Sequence, residues 1–276
     1  MLSKRYLALP LASAALIAAG CGSDDDGGNA SKSAVPAKPA GGESHMTVDT
    51  GASVSVASPP AGKVVTGDAV PFDVRLSNFK VDCRFAGTAH RDGVGHYHVE
   101  LDGALIDMFC SDRDQVSLQN VAPGKHTLQF IPADNQHTDD LKAEKKVSFT
   151  YQPAKPLPEI TGEEKGTPSI RIVSPKPGST VRGDFDLTVQ PKNFEFSCDL
   201  YGKKDVAGYG HWHANVDSTT KGMMGMATML GMSCQRTFHV SLAGIEPGPH
   251  TFFAILEDNQ HAPTPKAQAS VKLDVG

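Results

Sequence analysis

The chain contains the same short histidine motif twice, as Gly95-His96-Tyr97-His98 and as Gly210-His211-Trp212-His213. On a β-strand, residues two positions apart point to the same face, so each motif places two imidazoles side by side. Neutral imidazole is the commonest metal ligand, and such a pair needs only one or two further groups to hold an ion. The motif therefore predicts a metal or small-ligand site in each copy.

Candidate third ligands lie in a later loop, where residues 134–137 read Asp-Asn-Gln-His and residues 258–261 repeat them. We expect His137 and His261 to join the pairs, with Asp134 and Asp258 as further candidates. The alternative is that all these histidines are structural and hold strands or loops by hydrogen bonds. That alternative is favoured for the two histidines that follow Pro-Gly turns, His126 and His250.

The two copies belong to a tandem duplication that covers most of the chain. The offset between matching residues is 115 at Asp102 and Asp217 but 124 at Cys110 and Cys234, so the second copy carries an insertion of nine residues. Any shared function must explain why both copies keep their histidines. A function unique to one copy is expected in the insertion.

The insertion is rich in methionine, with five of the eight methionines of the chain falling within residues 223–232. Thioether sulfur is a soft ligand that suits copper(I), which predicts a copper site near the histidines of the second copy. The alternative is a flexible apolar flap or a partner surface, because methionine also serves adaptable packing. The residues concerned are Met223, Met224, Met226, Met229 and Met232.

The apolar pattern within each copy has a period of two, which is typical of half-buried strands in an antiparallel sheet. Phe79, Val81, Cys83 and Phe85 alternate with polar residues in the first copy, and residues 194–200 repeat the pattern. Further strands are predicted at 53–57, 70–76, 96–101, 126–131 and 146–151. With no convincing amphipathic helix, the sequence predicts an all-β protein of two tandem immunoglobulin-like antiparallel sandwiches.

The amino terminus has the features of an export signal, in which Lys4 and Arg5 precede an apolar stretch that is short for a membrane span. Residues 18–21, Ala-Ala-Gly-Cys, resemble the bacterial lipoprotein cleavage box. The resemblance implies cleavage before Cys21, lipid on its sulfur, and a protein anchored to the cell membrane on its extracytoplasmic face. The alternative is an ordinary secretory peptide with a chance cysteine.

The remaining four cysteines divide evenly between the copies, and an oxidising compartment favours disulfides over thiol metal sites. The predicted pairs are Cys83 with Cys110 and Cys198 with Cys234. The alternative is that two of these cysteines join the histidines as metal ligands.

Composition divides the rest of the chain. We predict a signal peptide at 1–20, a flexible Gly/Ser/Pro-rich spacer at 21–50, a first domain at 51–151, an extended Pro-rich linker at 152–168 and a second domain at 169–276. The chain has 26 basic and 31 acidic residues, a net charge of −5, which argues against nucleic acid as a partner. It contains no Gly-x-Ser-x-Gly, His-Glu-x-x-His or phosphate-loop motif, so hydrolase and nucleotide chemistry lack support.

The Gly-His-x-His strand, the Pro-Gly-x-His-Thr turn and the Asp-x-x-His loop together resemble a family of exported bacterial domains of uncharacterised function, many of them lipoproteins. The resemblance covers both copies, with Tyr97 or Trp212 where that family often has a middle histidine. A second resemblance is to copper-zinc superoxide dismutase, whose copper strand reads Gly-x-His-x-His. The residue after the glycine is missing here, as are a bridging histidine and a zinc loop, which argues against dismutase activity.

Taken together, the residues predict a non-enzymatic, lipid-anchored binding protein whose histidine sites hold a transition metal, with copper as the most concrete candidate. A protein partner is the other kind of ligand considered, and no oligomeric state is predicted. The alternative function is a surface adhesion or interaction module with purely structural histidines.

Overall fold

The computed structural model describes residues 47–276, all of which belong to one compact unit. The predicted signal peptide, the lipidation site at Cys21 and nearly all of the predicted spacer lie outside the described residues. No helix in the described part of the chain is long and apolar enough to cross a membrane.

The first repeat folds into two sheets that face each other, here called the first sandwich. One sheet has the order β1-β3-β7, and the other has the order β2-β9-β8-β5-β4 with β6 also paired to β5. The strands are β1 (Ser53–Ser58), β2 (Lys63–Val65), β3 (Ala69–Ser77), β4 (Lys80–Val81), β5 (Val94–Leu101), β6 (Ala104–Phe109), β7 (Arg113–Ser117), β8 (Gly124–Asp134) and β9 (Lys145–Tyr151).

The second repeat forms the second sandwich with the same arrangement. Its sheets have the orders β10-β12-β16 and β11-β18-β17-β14-β13, with β15 also paired to β14. The strands are β10 (Ser169–Ser174), β11 (Thr180–Val181), β12 (Phe185–Lys192), β13 (Glu195–Phe196), β14 (Tyr209–Val216), β15 (Met229–Ser233), β16 (Thr237–Val240), β17 (Gly248–Glu257) and β18 (Pro263–Val275). The predicted immunoglobulin-like all-β fold is confirmed for the described residues.

Alternating apolar residues fill each sandwich. In the first, Leu128 and Phe130 on β8 are fully buried and face the same side of the sheet. Trp212 on β14 and Phe252 on β17 are likewise fully buried in the second. The division into two domains at 152–168 stays a prediction, because all described residues belong to one compact unit.

One predicted strand is wrong in both repeats. The alternation from Phe79 to Phe85 suggested a continuous strand, but only β4 pairs there, and a 3₁₀ helix follows at Cys83–Phe85. The carboxylate of Asp82 accepts the backbone N–H of Arg84, which caps the helix and ends the extended backbone. In the second repeat, β13 is also followed by a 3₁₀ helix, at Cys198–Leu200, but the side chain of Ser197 makes no capping hydrogen bond there.

The predicted disulfides are confirmed: Cys83 bonds Cys110, and Cys198 bonds Cys234. The first bridge joins a 3₁₀ helix to the residue after β6, and the second joins the matching 3₁₀ helix to the residue after β15. The four cysteines are therefore not free to act as thiolate ligands, and the alternative that two of them join the histidines is ruled out.

Candidate metal centre

The central strands β5 and β14 carry the histidine pairs, and the period of two brings each pair to one face as expected. The first pair meets His137 in the loop after β8, and the second meets His261 in the loop after β17. The ligand atoms of each set lie within 4.8 Å of one another. We call these sets the first triad (His96, His98, His137) and the second triad (His211, His213, His261).

Backbone conformation places the third histidine in each triad. His137 has φ 62° and His261 has φ 63°, a left-handed conformation that is uncommon for residues other than glycine. Each turn is held by Asp134 or Asp258, whose carboxylate accepts backbone N–H groups of the loop. The two aspartates therefore shape the loop and lie outside both triads. Such strain is characteristic of functional sites and points to a role for the third histidine.

The nitrogen atoms of the first triad are separated by distances that suit a metal ion. Nε2 of His96 lies 3.1 Å from Nε2 of His98, which lies 3.4 Å from Nδ1 of His137. A tetrahedral ion with metal–nitrogen bonds of about 2.0–2.1 Å sets its ligand nitrogens about 3.3 Å apart. These two distances fit two edges of such a site, and the ligand atoms of all three rings lie within 4.8 Å of one another.

Outer hydrogen bonds fix which nitrogen of two rings carries the proton. Nε2–H of His137 donates to the carbonyl oxygen of Met229 at 2.7 Å, so the neutral ring has its lone pair on Nδ1. Nδ1–H of His98 donates to Oδ1 of Asp139 at 2.8 Å, which leaves the lone pair on Nε2. Both lone pairs face the centre of the triad. If the three rings are neutral and no cation is bound, only His96 can place a proton between these lone pairs.

The second triad repeats this geometry. Nε2 of His211 lies 3.0 Å from Nε2 of His213 and 3.0 Å from Nδ1 of His261. Nε2–H of His261 donates to the carbonyl oxygen of Leu105 at 2.9 Å, which again leaves Nδ1 free to bind. The carboxyl group near His213 is that of Glu257, whose Oε1 lies 3.7 Å from Nδ1.

Burial favours the neutral form of five of the triad rings. His96 and His211 are fully buried, and each has an Nδ1 atom without a hydrogen-bond partner. Burial and the neighbouring rings hold the pKa of both histidines well below the usual value. Burial likewise lowers the pKa of His137 to about 3 and that of His261 to about 4. Neutral imidazole is the form that binds metal.

The inserted methionines do not share one environment. Met223 and Met224 are exposed, with 58% and 64% of their surface accessible, on a 3₁₀ segment at Met223–Thr228. Met226 is half-buried, while Met229 and Met232 on β15 are buried in a cluster with apolar residues of the first sandwich. Met229 contacts the first triad through its backbone carbonyl, which accepts the hydrogen bond from His137.

The two histidines after the Pro-Gly turns hold those turns. Nδ1 of His126 lies 2.7 Å from Oδ2 of Asp102, and its Nε2–H donates to the carbonyl oxygen of Ala122. His250 makes the matching contact with Asp217 at 2.6 Å. Both histidines therefore have a structural role, which also explains why both copies keep the aspartate.

Sequence reasoning did not identify Asp139 or Glu257 as neighbours of the triads. Asp139 lies two residues after His137, so an acidic residue in that short loop was a usable signal. Glu257 matches Ala133 in the first repeat, so comparison of the copies gave no signal for it. Burial raises the pKa of Glu257 to about 9, and its Oε2 has no hydrogen-bond partner.

No family model and no curated protein sequence matches the chain. Among solved structures, it is similar to fibronectin(III)-like modules of Clostridium thermocellum CbhA, at 13% identity over 80% of this chain and 93% of that one, with a TM-score of 0.26. It is similar to the N-terminal four Ig domains of Dscam1, at 10% identity over 81% and 46% of the chains, with a TM-score of 0.24. The BSP domain of a biofilm associated protein matches at 14% identity over 80% and 29%, with a TM-score of 0.23. At such scores the matches carry no argument about this protein.

Proposed function

We propose that the protein is a non-enzymatic, extracytoplasmic binding protein, tethered to the membrane through lipid at Cys21, in which each triad holds one transition-metal ion. The observation that carries the proposal is the convergence of three imidazole nitrogens in both repeats, all within 4.8 Å of one another and with hydrogen-bonded pairs 3.0–3.5 Å apart. A cation at the centre would bind these nitrogens. Packing alone would not require that arrangement twice.

Burial favours holding an ion over catalysis by it. His96, His98 and His137 are at most 8% exposed, so the first triad lies almost entirely out of contact with solvent. Three histidine ligands would leave the fourth position of a tetrahedral ion open, as in catalytic zinc sites, but the burial of the first triad separates that position from solvent and from a soluble substrate. A buried three-histidine site fits the tight binding or storage of an ion. The three histidines of each triad would hold one ion, and the positive charge of that ion would attract their three lone pairs.

Copper is the metal we propose first, and the case for it rests on soft ligands. Imidazole suits zinc and copper alike, but thioether sulfur distinguishes copper(I). Met223 and Met224 stand exposed on the second sandwich, where they are accessible to an incoming ion. We propose that they capture copper(I) before it reaches a triad. Because they are exposed, their removal leaves the core intact.

Metal analysis and titration of residues 22–276, which contain the whole compact unit, test the proposal. We expect two equivalents of copper(I) under anaerobic conditions and one after His211→Ala/His213→Ala. His250→Ala is the matched control, because that histidine lies outside both triads, and it should keep two equivalents. Wild-type protein that binds no metal stoichiometrically would overturn the proposal.

A second titration isolates the methionine step. Met223→Leu/Met224→Leu should slow the uptake of copper(I) and leave zinc binding unchanged, because leucine keeps the apolar bulk without sulfur. Equal rates of copper(I) uptake by this variant and the wild type would contradict the proposed role of the two methionines, and the proposal that the triads are metal sites would stand.

The alternative function is an interaction module with structural histidines. It is favoured by the two exposed methionines, since methionine is common at adaptable binding surfaces. It predicts a protein that binds no metal. Its stability should fall when the contact of His126 with Asp102 or that of His250 with Asp217 is removed, and a chelator should leave its stability unchanged.

A further inference from the structure

The two triads are linked by a reciprocal pair of contacts between the sandwiches. His137 of the first sandwich donates to the carbonyl of Met229 in the second, and His261 of the second donates to the carbonyl of Leu105 in the first. The donors occupy matching positions in the two repeats. The acceptors match as well, since Leu105 and Met229 pair with equivalent residues of β5 and β14.

Matching glycines allow the close approach behind these contacts. A Cβ on Gly87 would lie 2.6 Å from the carbonyl oxygen of Met229, and a Cβ on Gly202 would overlap the carbonyl oxygen of Leu105. Both glycines have positive φ, at 71° and 64°. The contact surface is therefore self-complementary, as in a twofold dimer whose two halves have been joined in one chain.

Apolar packing accompanies the polar contacts. Tyr201, Met229 and Met232 of the second sandwich are buried in the same cluster as the core of the first. The ring of Tyr201 also meets the ring of His211, with centroids 4.5 Å apart. The second triad thus lies against the same surface that packs on the first sandwich.

We infer that metal in the triads holds the two sandwiches together, so that this surface is a metal-dependent docking surface whose partner is the other repeat. The inference rests on the proposed function. A metal-bound histidine characteristically donates its other ring N–H to a carbonyl or carboxylate, which orients the ring and raises its basicity. Here that acceptor belongs to the opposite sandwich. Each site therefore has its three ligands in one sandwich and the outer acceptor of its third histidine in the other.

Metal binding and docking must then strengthen each other by the same factor, because coupling between two equilibria is reciprocal. Loss of an outer acceptor typically costs about 10–100-fold in metal affinity. Disturbing the docking surface should therefore weaken metal binding at a triad whose ligands are all unchanged.

Gly202→Ala disturbs the surface without touching a ligand. The added methyl group pushes the carbonyl of Leu105 away from His261, and we expect the affinity of one of the two equivalents of copper(I) or zinc to fall about 10–100-fold. Gly178→Ala is the matched control, because Gly178 also has positive φ, at 76°, but a Cβ there meets nothing within 4 Å. It should bind both ions as the wild type does.

Hydrogen exchange of the wild type supplies a readout that needs no variant. Loading with the metal alone should slow exchange in β6 and β15, which supply the acceptor carbonyls, and leave β1 and β10 unchanged. If the wild type binds two ions while Gly202→Ala matches Gly178→Ala and exchange is unaffected, the docking inference is wrong and the metal sites stand. If the wild type binds no metal, both proposals fail.

Discussion

Replacing Asp139 by asparagine should weaken the first metal site and spare the second. Oδ1 of Asp139 accepts Nδ1–H of His98 at 2.8 Å, and the side chain is 34% exposed. Asparagine has nearly the same shape, so the loop is retained. Its amide oxygen carries no charge, however, and therefore accepts the hydrogen bond less strongly.

The expected loss follows from the role of such carboxylates. An outer carboxylate on a ligating histidine is typically worth about 10–100-fold in metal affinity, and solvent screening of this partly exposed group favours the lower end. We expect a loss of about 10-fold, or about 1.4 kcal/mol. The second triad lacks this contact, because position 263 of the second repeat, which matches Asp139, is proline.

Competition with a chelator measures both sites in one titration. Asp139→Asn should turn it into two steps, one at the wild-type affinity and one about 10-fold weaker. Asp112→Asn is the control, because Asp112 is exposed and this substitution removes the same charge elsewhere in the first sandwich. A titration of Asp139→Asn that matches the control, or that weakens both steps equally, would refute the assignment of Asp139 to the first triad.

Three further predictions concern stability, and urea unfolding monitored by circular dichroism tests each of them. Cys83→Ala/Cys110→Ala opens a disulfide of sequence separation 27 and should lower the free energy of unfolding by about 3.5 kcal/mol; a loss below about 1 kcal/mol would contradict it. Leu128→Ala empties a fully buried position and should cost about 2–5 kcal/mol, whereas a neutral result would show that the core rearranges to fill the space. For His250, burial alone would lower the pKa, but the hydrogen bonds that its ring donates to Asp217 and to the carbonyl of Glu246, together with the charge of Asp217, raise it. A raised pKa stabilises the fold fully below the unfolded value of about 6.5, and the stabilisation is lost as pH rises through the folded value. His250→Ala should therefore cost more at pH 5.5 than at pH 8.5, by up to about 1 kcal/mol, and an equal cost at both pH values would argue against the charged pair.

Much of the fold was predictable from local patterns. The period of two in residues 126–131 identified β8, because buried Leu128 and Phe130 alternate there with half-buried Thr127 and Gln129. The same rule failed for residues 79–85, where an aspartate cap and a disulfide favour a 3₁₀ helix after two paired residues. Alternation records which residues are buried, and a short helix next to a strand can satisfy the same pattern.

The candidate site was predictable in its ligands and not in their surroundings. The period of a strand alone put His96 and His98 on one face, and repetition of the loop identified His137. The sequence by itself thus determined the six histidines, the duplication and the disulfide pairs, because each depends on residue type and local spacing. Only the tertiary structure decided that the third histidine of each triad reaches the backbone of the other repeat. That contact depends on how two folded surfaces meet, and a backbone carbonyl such as that of Leu105 leaves no mark in the sequence.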